Sequence, residues 1–115
     1  MTIEEYRSNL NRGFIVAIAS DHAGVEMKSA IIDRLRSVGT VGHFVIDHGP
    51  YMPDRVDYPD HAAMVCGSIL GGEADRGIQI CGSGIGMSMA ANRSRGIRCA
   101  LVQEPVSAEL SRLHN

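Results

Sequence analysis

The sequence holds no tryptophan, two phenylalanines and three tyrosines. So small a stock of flat rings leaves little on which nucleobases could stack. A surplus of positive charge is missing too. Eleven lysines and arginines face thirteen aspartates and glutamates, a formal net charge of -2 at pH 7. That balance excludes the basic footprint of non-specific nucleic-acid binding. Cysteine is scarce: Cys66, Cys81 and Cys99 are an odd number with no C-x-x-C pair. Such spacing suits neither a disulfide framework nor a zinc knuckle, and it fits free thiols in a reducing compartment. Long apolar runs are absent, since stretches such as 14–19 fall far short of a bilayer span. The opening residues are polar, carry Glu4 and Glu5, and lack the apolar centre of a signal peptide. These absences predict a soluble cytoplasmic protein with neither membrane nor nucleic acid as partner.

What remains is ordinary globular material. The 115 residues suffice for one domain, and 44% hydrophobic with 21% charged residues leaves no room for a long disordered tail. Phe14-Ile15-Val16-Ala17-Ile18-Ala19-Ser20 is apolar and rich in β-branched residues, which predicts a buried strand. Met27, Ile31, Leu35 and Val38 recur at helical spacing up to a stop at Gly39. Phe44-Val45-Ile46-Asp47 reads as a second strand. Pro53, Asp54, Asp57 and Pro59 mark a loop, with Pro59 suited to the first turn of a helix reaching about Leu70. Gly77-Ile78-Gln79-Ile80-Cys81 is a third strand, followed by a glycine-rich turn and a short helix to about Asn92. Arg98-Cys99-Ala100-Leu101-Val102 reads as a fourth strand, and Pro105 opens a last helix with Val106, Leu110 and Leu113 on one face. Strands alternating with helices predict an α/β fold, a parallel sheet covered on both faces. Residues 1–13 form an N-terminal arm, in which Ile3, Tyr6 and Leu10 have the spacing of a short packed helix but suit a frayed extension equally. There is no internal repeat.

In open α/β sheets, ligands bind beyond the carboxyl ends of the strands. Three such ends carry polar or reactive groups: Ser20-Asp21-His22, Asp47-His48 and Cys81-Gly82-Ser83-Gly84. If the first and third strands are neighbours, two of these clusters share one crevice. Gly82, Gly84 and Gly86 let the backbone bend sharply, and the amides at the following helix start would face an anion. A dinucleotide site is the rival for that turn. Its third glycine would fall at Met87, although Glu104 lies near the position expected for a ribose contact. A P-loop is excluded, because no Lys-Ser or Lys-Thr pair follows the glycines.

Each candidate has a plainer alternative. A Cys81 thiolate would be stabilised by the amides and the helix dipole, but a buried thiol acting as a small hydrophobe is the usual fate of cysteine. Cys66 and Cys99 read as packing residues. Asp21 and His22 either meet a ligand or cap the next helix, and Tyr58 is a contact residue or a packed aromatic. His43, His48 and His61 lack i, i+4 partners, so metal binding is not expected of them. His114 suits a helix end through the dipole alone. Met27, Met64, Met87 and Met89 read as core filler.

Six blocks then occur in order: Ser20-Asp21-His22-Ala23-Gly24, Val56-Asp57-Tyr58-Pro59-Asp60, Gly72-Glu73-Ala74-Asp75-Arg76-Gly77, Ile80-Cys81-Gly82-Ser83-Gly84-Ile85-Gly86-Met87, Ala90-Ala91-Asn92 and Leu110-Ser111-Arg112-Leu113-His114-Asn115. Together they resemble the type B ribose-5-phosphate isomerases, whose family includes allose-6-phosphate and galactose-6-phosphate isomerases. The likeness runs from about residue 14 to the last. It implies a three-layer α/β/α Rossmann-like sandwich and an aldose–ketose isomerase of phosphorylated sugars. It also implies no metal or organic cofactor, and a homodimer or homotetramer. By the same resemblance Cys81 is the base, and the backbone of Gly82, Ser83, Gly84 and Gly86 holds the developing oxyanion. Asp21 and Tyr58 meet sugar hydroxyls or the ring oxygen, His22 lies near the phosphate, His114 assists ring opening, and Asn115 binds a hydroxyl across the subunit interface. Ser83 stands where the family often has threonine, keeping the hydroxyl without the methyl.

The resemblance further implies a continuation past His114-Asn115: a fifth strand that gives the order 2-1-3-5-4, and a helix carrying phosphate-clamping arginines. The expectation is therefore that 14–115 is an isomerase domain lacking its C-terminal part, with open ladder groups beside the third strand. Against the isomerase stand a silent sugar-phosphate-binding subunit, which Cys81 argues against, and a nucleotide-binding module.

Overall fold

The strand expected from residue 14 onward is β1 (Ile15–Ser20), and all six of its residues are buried. It is the middle strand of a parallel sheet of order β2-β1-β3, with β2 at Phe44–Asp47 and β3 at Arg76–Ile80. Ile15 pairs with Phe44 on one side, while Val16 through Ser20 pair with Arg76 through Ile80 on the other. The computed structural model describes residues 1–52 and 54–115, so Pro53 of the expected loop lies outside the described residues.

Alternation along β1 sends neighbouring side chains to opposite faces. One face gathers Ile18, Ile80 and Ile32 of α2 (Val25–Ser37). The other gathers Ile15, Ala17 and Ala19 with Val65 of α3 (Tyr58–Leu70), Ala74, and Tyr6 of α1 (Ile3–Ser8). Two further helices follow, α4 (Ile85–Asn92) and α5 (Pro105–His114). α4 packs on α3, with Met87 and Ala91 buried and the Cys66 thiol directed at the Ala91 carbonyl. The α/β sandwich with a parallel sheet is as the sequence predicts. Among the described residues, no helix is long and apolar enough to cross a membrane.

Other details settle open alternatives or differ from the sequence reading. Of the two alternatives for the arm, Ile3–Ser8 takes the packed helix, and Leu10 beyond it is fully exposed. Thr2 and Glu5 form a reciprocal capping box, and the Tyr6 ring is buried against Phe44. The Tyr6 hydroxyl donates to the Gly42 carbonyl at 2.7 Å and accepts the Gly13 N–H at 2.7 Å. On α2 the buried stripe runs through Lys28 and Ile32, leaving Met27 exposed. Lys28 is only 2% exposed, yet its Nζ lies 2.6 Å from Asp47 Oδ1 at the end of β2, under the Tyr51 ring. An ion pair with a long alkyl stem can fill a core position that periodicity reserves for an apolar residue. Met64 and Met89 are also exposed, so Met87 alone of the four methionines is core. His61 lies within α3, and its Nδ1 is buried without a partner.

The fourth expected strand does not join the sheet. Residues 97–102 are neither strand nor helix, and Asn92 holds Cys99 instead, donating to its carbonyl and accepting its N–H, both at 2.8 Å. A groove of about 840 Å³ separates this segment from the outer edge of β3, with Ile69, Ile78, Ile97 and Val102 among its walls. A strand without an adjacent partner cannot complete a ladder, whatever its own propensity. α5 has no buried residue, so Val106, Leu110 and Leu113 present their apolar face to solvent.

The base of the sheet is tied by Asp75. Its Oδ2 accepts from Arg12 at 2.8 Å and from the Ile15 N–H at 2.9 Å, and its own N–H donates to the Ile15 carbonyl. The Arg12 bond, with the Ile15 amide next, holds the Asp75 carboxyl below the ordinary carboxylate value. The folded state then gives up that proton at lower pH than the unfolded chain. The contribution is complete above about pH 4 and fades as pH falls through the native value. In Asp75→Asn, the fall in unfolding free energy below about pH 4 should be shallower than in the parent, as read by urea titration at stepped pH. Removing the buried hydroxyl in Tyr6→Phe strands the Gly13 N–H and the Gly42 carbonyl. Stability should drop by about 1–3 kcal/mol in the same titration at neutral pH.

Candidate active site

Ser20 and Ile80 are register partners, so the next residues, Asp21 and Cys81, leave the sheet side by side. The Asp21 N–H donates to the Ile80 carbonyl at 2.8 Å, extending the ladder one step past the strands. β3 ends at Ile80, which makes Cys81 the first residue of the turn into α4. The two polar strand ends that the sequence places in one crevice are joined.

The turn is shaped by two glycines. Gly84, the residue that leads into α4, has φ +80°, a left-handed conformation that costs glycine little and other residues more. A methyl group on Gly86 would stand 2.8 Å from Cζ of Tyr58 and 3.0 Å from its hydroxyl oxygen. The Tyr58 ring therefore lies against the first turn of α4, and only glycine permits that approach. Tyr58 itself is 39% exposed, open on its other side.

The amides around this turn divide into used and free. Gly82 N–H is used: it donates to Asp21 Oδ2 at 3.1 Å. Ile85 N–H is used as well, donating to Ser83 Oγ at 3.2 Å. The first backbone bond of α4 runs from Ser88 N–H to the Gly84 carbonyl. Among the described residues, the N–H groups of Ser83, Gly84, Gly86 and Met87 carry no hydrogen bond. Four unspent donors at a helix start, where the dipole is positive, have the chemistry to receive negative charge. Gly82 thus differs from the expected set, since its amide serves the carboxylate of Asp21.

Cys81 is partly exposed, whereas Cys66 is buried on α3, and all three cysteines are free thiols. Burial, with Cys66 as a lesser neighbour, pushes the Cys99 thiol up, so it stays protonated at neutral pH. His22 is exposed on the short 3-10 turn, His22–Gly24, that precedes α2. His114 and Asn115 are exposed at the end of α5, and Asn115 lines the groove beside β3. Arg98 donates to the Asn115 backbone carbonyl, at the far end of the segment whose Leu101 and Gln103 touch Gly84 and Ser83. α5 carries His114 nine residues beyond its first, about 14 Å along its axis. Glu104 meets no ribose-binding requirement. Both its oxygens cap α5, accepting from Val106 N–H and Ser107 N–H at 2.8 Å, and the Ser107 bonds first hold its carboxyl below the usual range. The dinucleotide reading loses its acidic residue.

Leu101 and Gln103 were not readable as neighbours of the turn. Nothing in their local sequence marks them, because the contact depends on where the unpaired segment 97–102 comes to lie.

The family model described as Ribose/Galactose Isomerase matches residues 16–115. Ribose-5-phosphate isomerase B of Escherichia coli (strain K12) is 45% identical over 100 residues, 87% of this chain and 65% of that protein. A ribose 5-phosphate isomerase from Thermotoga maritima is similar in structure, with TM-score 0.84 and 51% identity, over 90% of this chain and 70% of that one. Type B ribose 5-phosphate isomerase of Leishmania infantum is similar at TM-score 0.82 and 50% identity, over 88% and 65%. The chain spans 65% of the length of the Escherichia coli relative. With its turn after β3 and its matched residues in one continuous stretch, the chain belongs to the ribose/galactose isomerase family.

Proposed function

We propose that this chain carries the proton-transfer site of an aldose–ketose isomerase interconverting ribose 5-phosphate and ribulose 5-phosphate. The observation that carries the reading is a partly exposed thiol, Cys81, leading a turn that holds four unspent amides, with Asp21 bonded to its Gly82 and Tyr58 packed on its Gly86. Moving a carbon-bound proton needs a base and donors aimed where charge develops, and this turn offers both. In the opened aldose, the Cys81 thiolate takes the hydrogen on C2 as a proton. The C–H electron pair becomes the C1–C2 double bond, and the carbonyl pair moves to O1. The free amides of Ser83, Gly84, Gly86 and Met87 would receive that oxyanion. The thiol returns its proton to C1, the hydroxyl proton of O2 passes to O1, and the carbonyl now stands at C2.

Tyr58 would wall the sugar, and His22, exposed beside the start of α2, would face the phosphate. The reading includes a second copy of the chain, as homodimer or homotetramer. One feature supports it: the exposed apolar face of α5. Ring opening by His114 and hydroxyl binding by Asn115 would then come from the partner copy. A cytoplasmic setting fits three unpaired thiols.

Turnover of a panel of phosphorylated aldoses tests the substrate. Ribose 5-phosphate should be the best of them, and no turnover of it beside turnover of allose or galactose 6-phosphate would move the assignment within the family. Cys81→Ala should lower solvent-proton exchange at C2 by about 10²–10⁴-fold while leaving sugar-phosphate affinity nearly unchanged. Exchange that survives in this variant removes Cys81 as the base.

A further inference from the structure

Asp21 stands at the junction of both strand ends, and each of its carboxylate oxygens takes a backbone amide. Oδ1 accepts Gly24 N–H at 2.9 Å, which caps the turn into α2. Oδ2 accepts Gly82 N–H at 3.1 Å, across the sheet on the residue after Cys81. The Asp21 N–H donates in turn to the Ile80 carbonyl, the residue before Cys81. The residue that follows β1 therefore grips the chain on both sides of Cys81.

A peptide unit is planar, so holding the Gly82 N–H also fixes the Cys81 carbonyl and limits rotation about the Cys81 backbone. The Gly82 bond thus restrains the backbone from which the thiol and the unspent amides of Ser83, Gly84, Gly86 and Met87 project. We propose that Asp21 is the positioning residue of the Cys81–Gly82 turn, acting through that amide rather than by binding sugar hydroxyls. The inference rests on Cys81 as the base and adds the element that aims it. Charge helps: an ionised acceptor makes a stronger bond to an amide than a neutral one.

Two variants separate the parts. Asp21→Ser keeps a short oxygen able to cap the Gly24 turn, but the side chain is too short to bridge to Gly82. Asp21→Asn retains one acceptor and turns a donor toward the other amide. Both should lower kcat by about 10–100-fold with KM changed less than about threefold, because only the transition state uses the aimed turn. Amide hydrogen exchange at Gly82 should lose protection in both. Alkylation of Cys81 by iodoacetamide should change in rate, while Cys99 in the same sample keeps its own. A loss carried mainly by KM would overturn the proposal in favour of a sugar contact. Unchanged kcat, Gly82 protection and Cys81 alkylation in Asp21→Ser would overturn it as well. Cys81→Ser, assayed alongside, keeps the two readings apart. Turnover surviving there sinks the base, whereas full kcat in Asp21→Ser beside a dead Cys81→Ser sinks only the positioning role.

Discussion

β1 is hydrogen-bonded on both sides and buried along its whole length, and its pairing with β3 is the constraint on which the site depends. A slip of one residue would turn Ile18 and Ile80 out of one core and Ala17 and Ala19 out of the other. The same slip would separate Asp21 from the Ile80 carbonyl and the Gly82 amide. Register is thus set by burial of residues with no chemistry of their own, and the reactive residues inherit their places from it. Small side chains at positions 17 and 19 also matter. They let α3 approach the sheet closely enough for Val65 to join that core.

The opposite end of the sheet is fastened by different means. Asp75 binds the start of β1 through its backbone and its carboxylate together, and Arg12 closes over it. Tyr6 fills the adjoining corner and satisfies a donor and an acceptor of two loops with one hydroxyl. On the β2 side the Lys28–Asp47 pair links α2 to the loop after the strand, where Asp47 also accepts Gly49 N–H. Beyond β3 the pattern changes. The segment 97–102 is held by the Asn92 side chain, and α5 by surface contacts, with no buried side chain. Cohesion therefore grades from the β1 core outward across the groove beside β3.

That gradient explains what could be read from the residues in advance. Hydrophobic run and periodicity reveal β1, β3 and the glycine turn, because each is dictated locally or by burial. The meeting of Asp21 with Cys81 follows once the two strands are neighbours. Residues 98–102 have the composition of a strand, yet pairing needs a neighbour that composition does not supply. Lys28 breaks the helical pattern because its partner, Asp47, lies nineteen residues away. The exposed methionines mislead for a related reason: a helix of apolar residues packs only the stripe that faces the sheet. Tyr6 was ambiguous, since its value lies in two backbone groups supplied by distant loops. The family resemblance implies an oxyanion role for the Gly82 amide, whereas the structure spends that amide on Asp21.

The division of amides bears on why this turn is built from so many glycines and one serine. An anion is stabilised only by donors that no other acceptor has claimed. Had Gly82 and Ile85 been left free, the turn would hold six open N–H groups and little to order them. Asp21 takes the first and Ser83 Oγ takes the second, which fixes the backbone on either side of Ser83 and Gly84. The serine hydroxyl, having accepted from Ile85, retains its own hydrogen as a further donor. Two amides are thus exchanged for rigidity, and the remaining four are held without reorganisation when charge arrives. A turn with every donor open would bind an anion where it pleased. In the proposed reaction, this one fixes the donor positions before the anion forms.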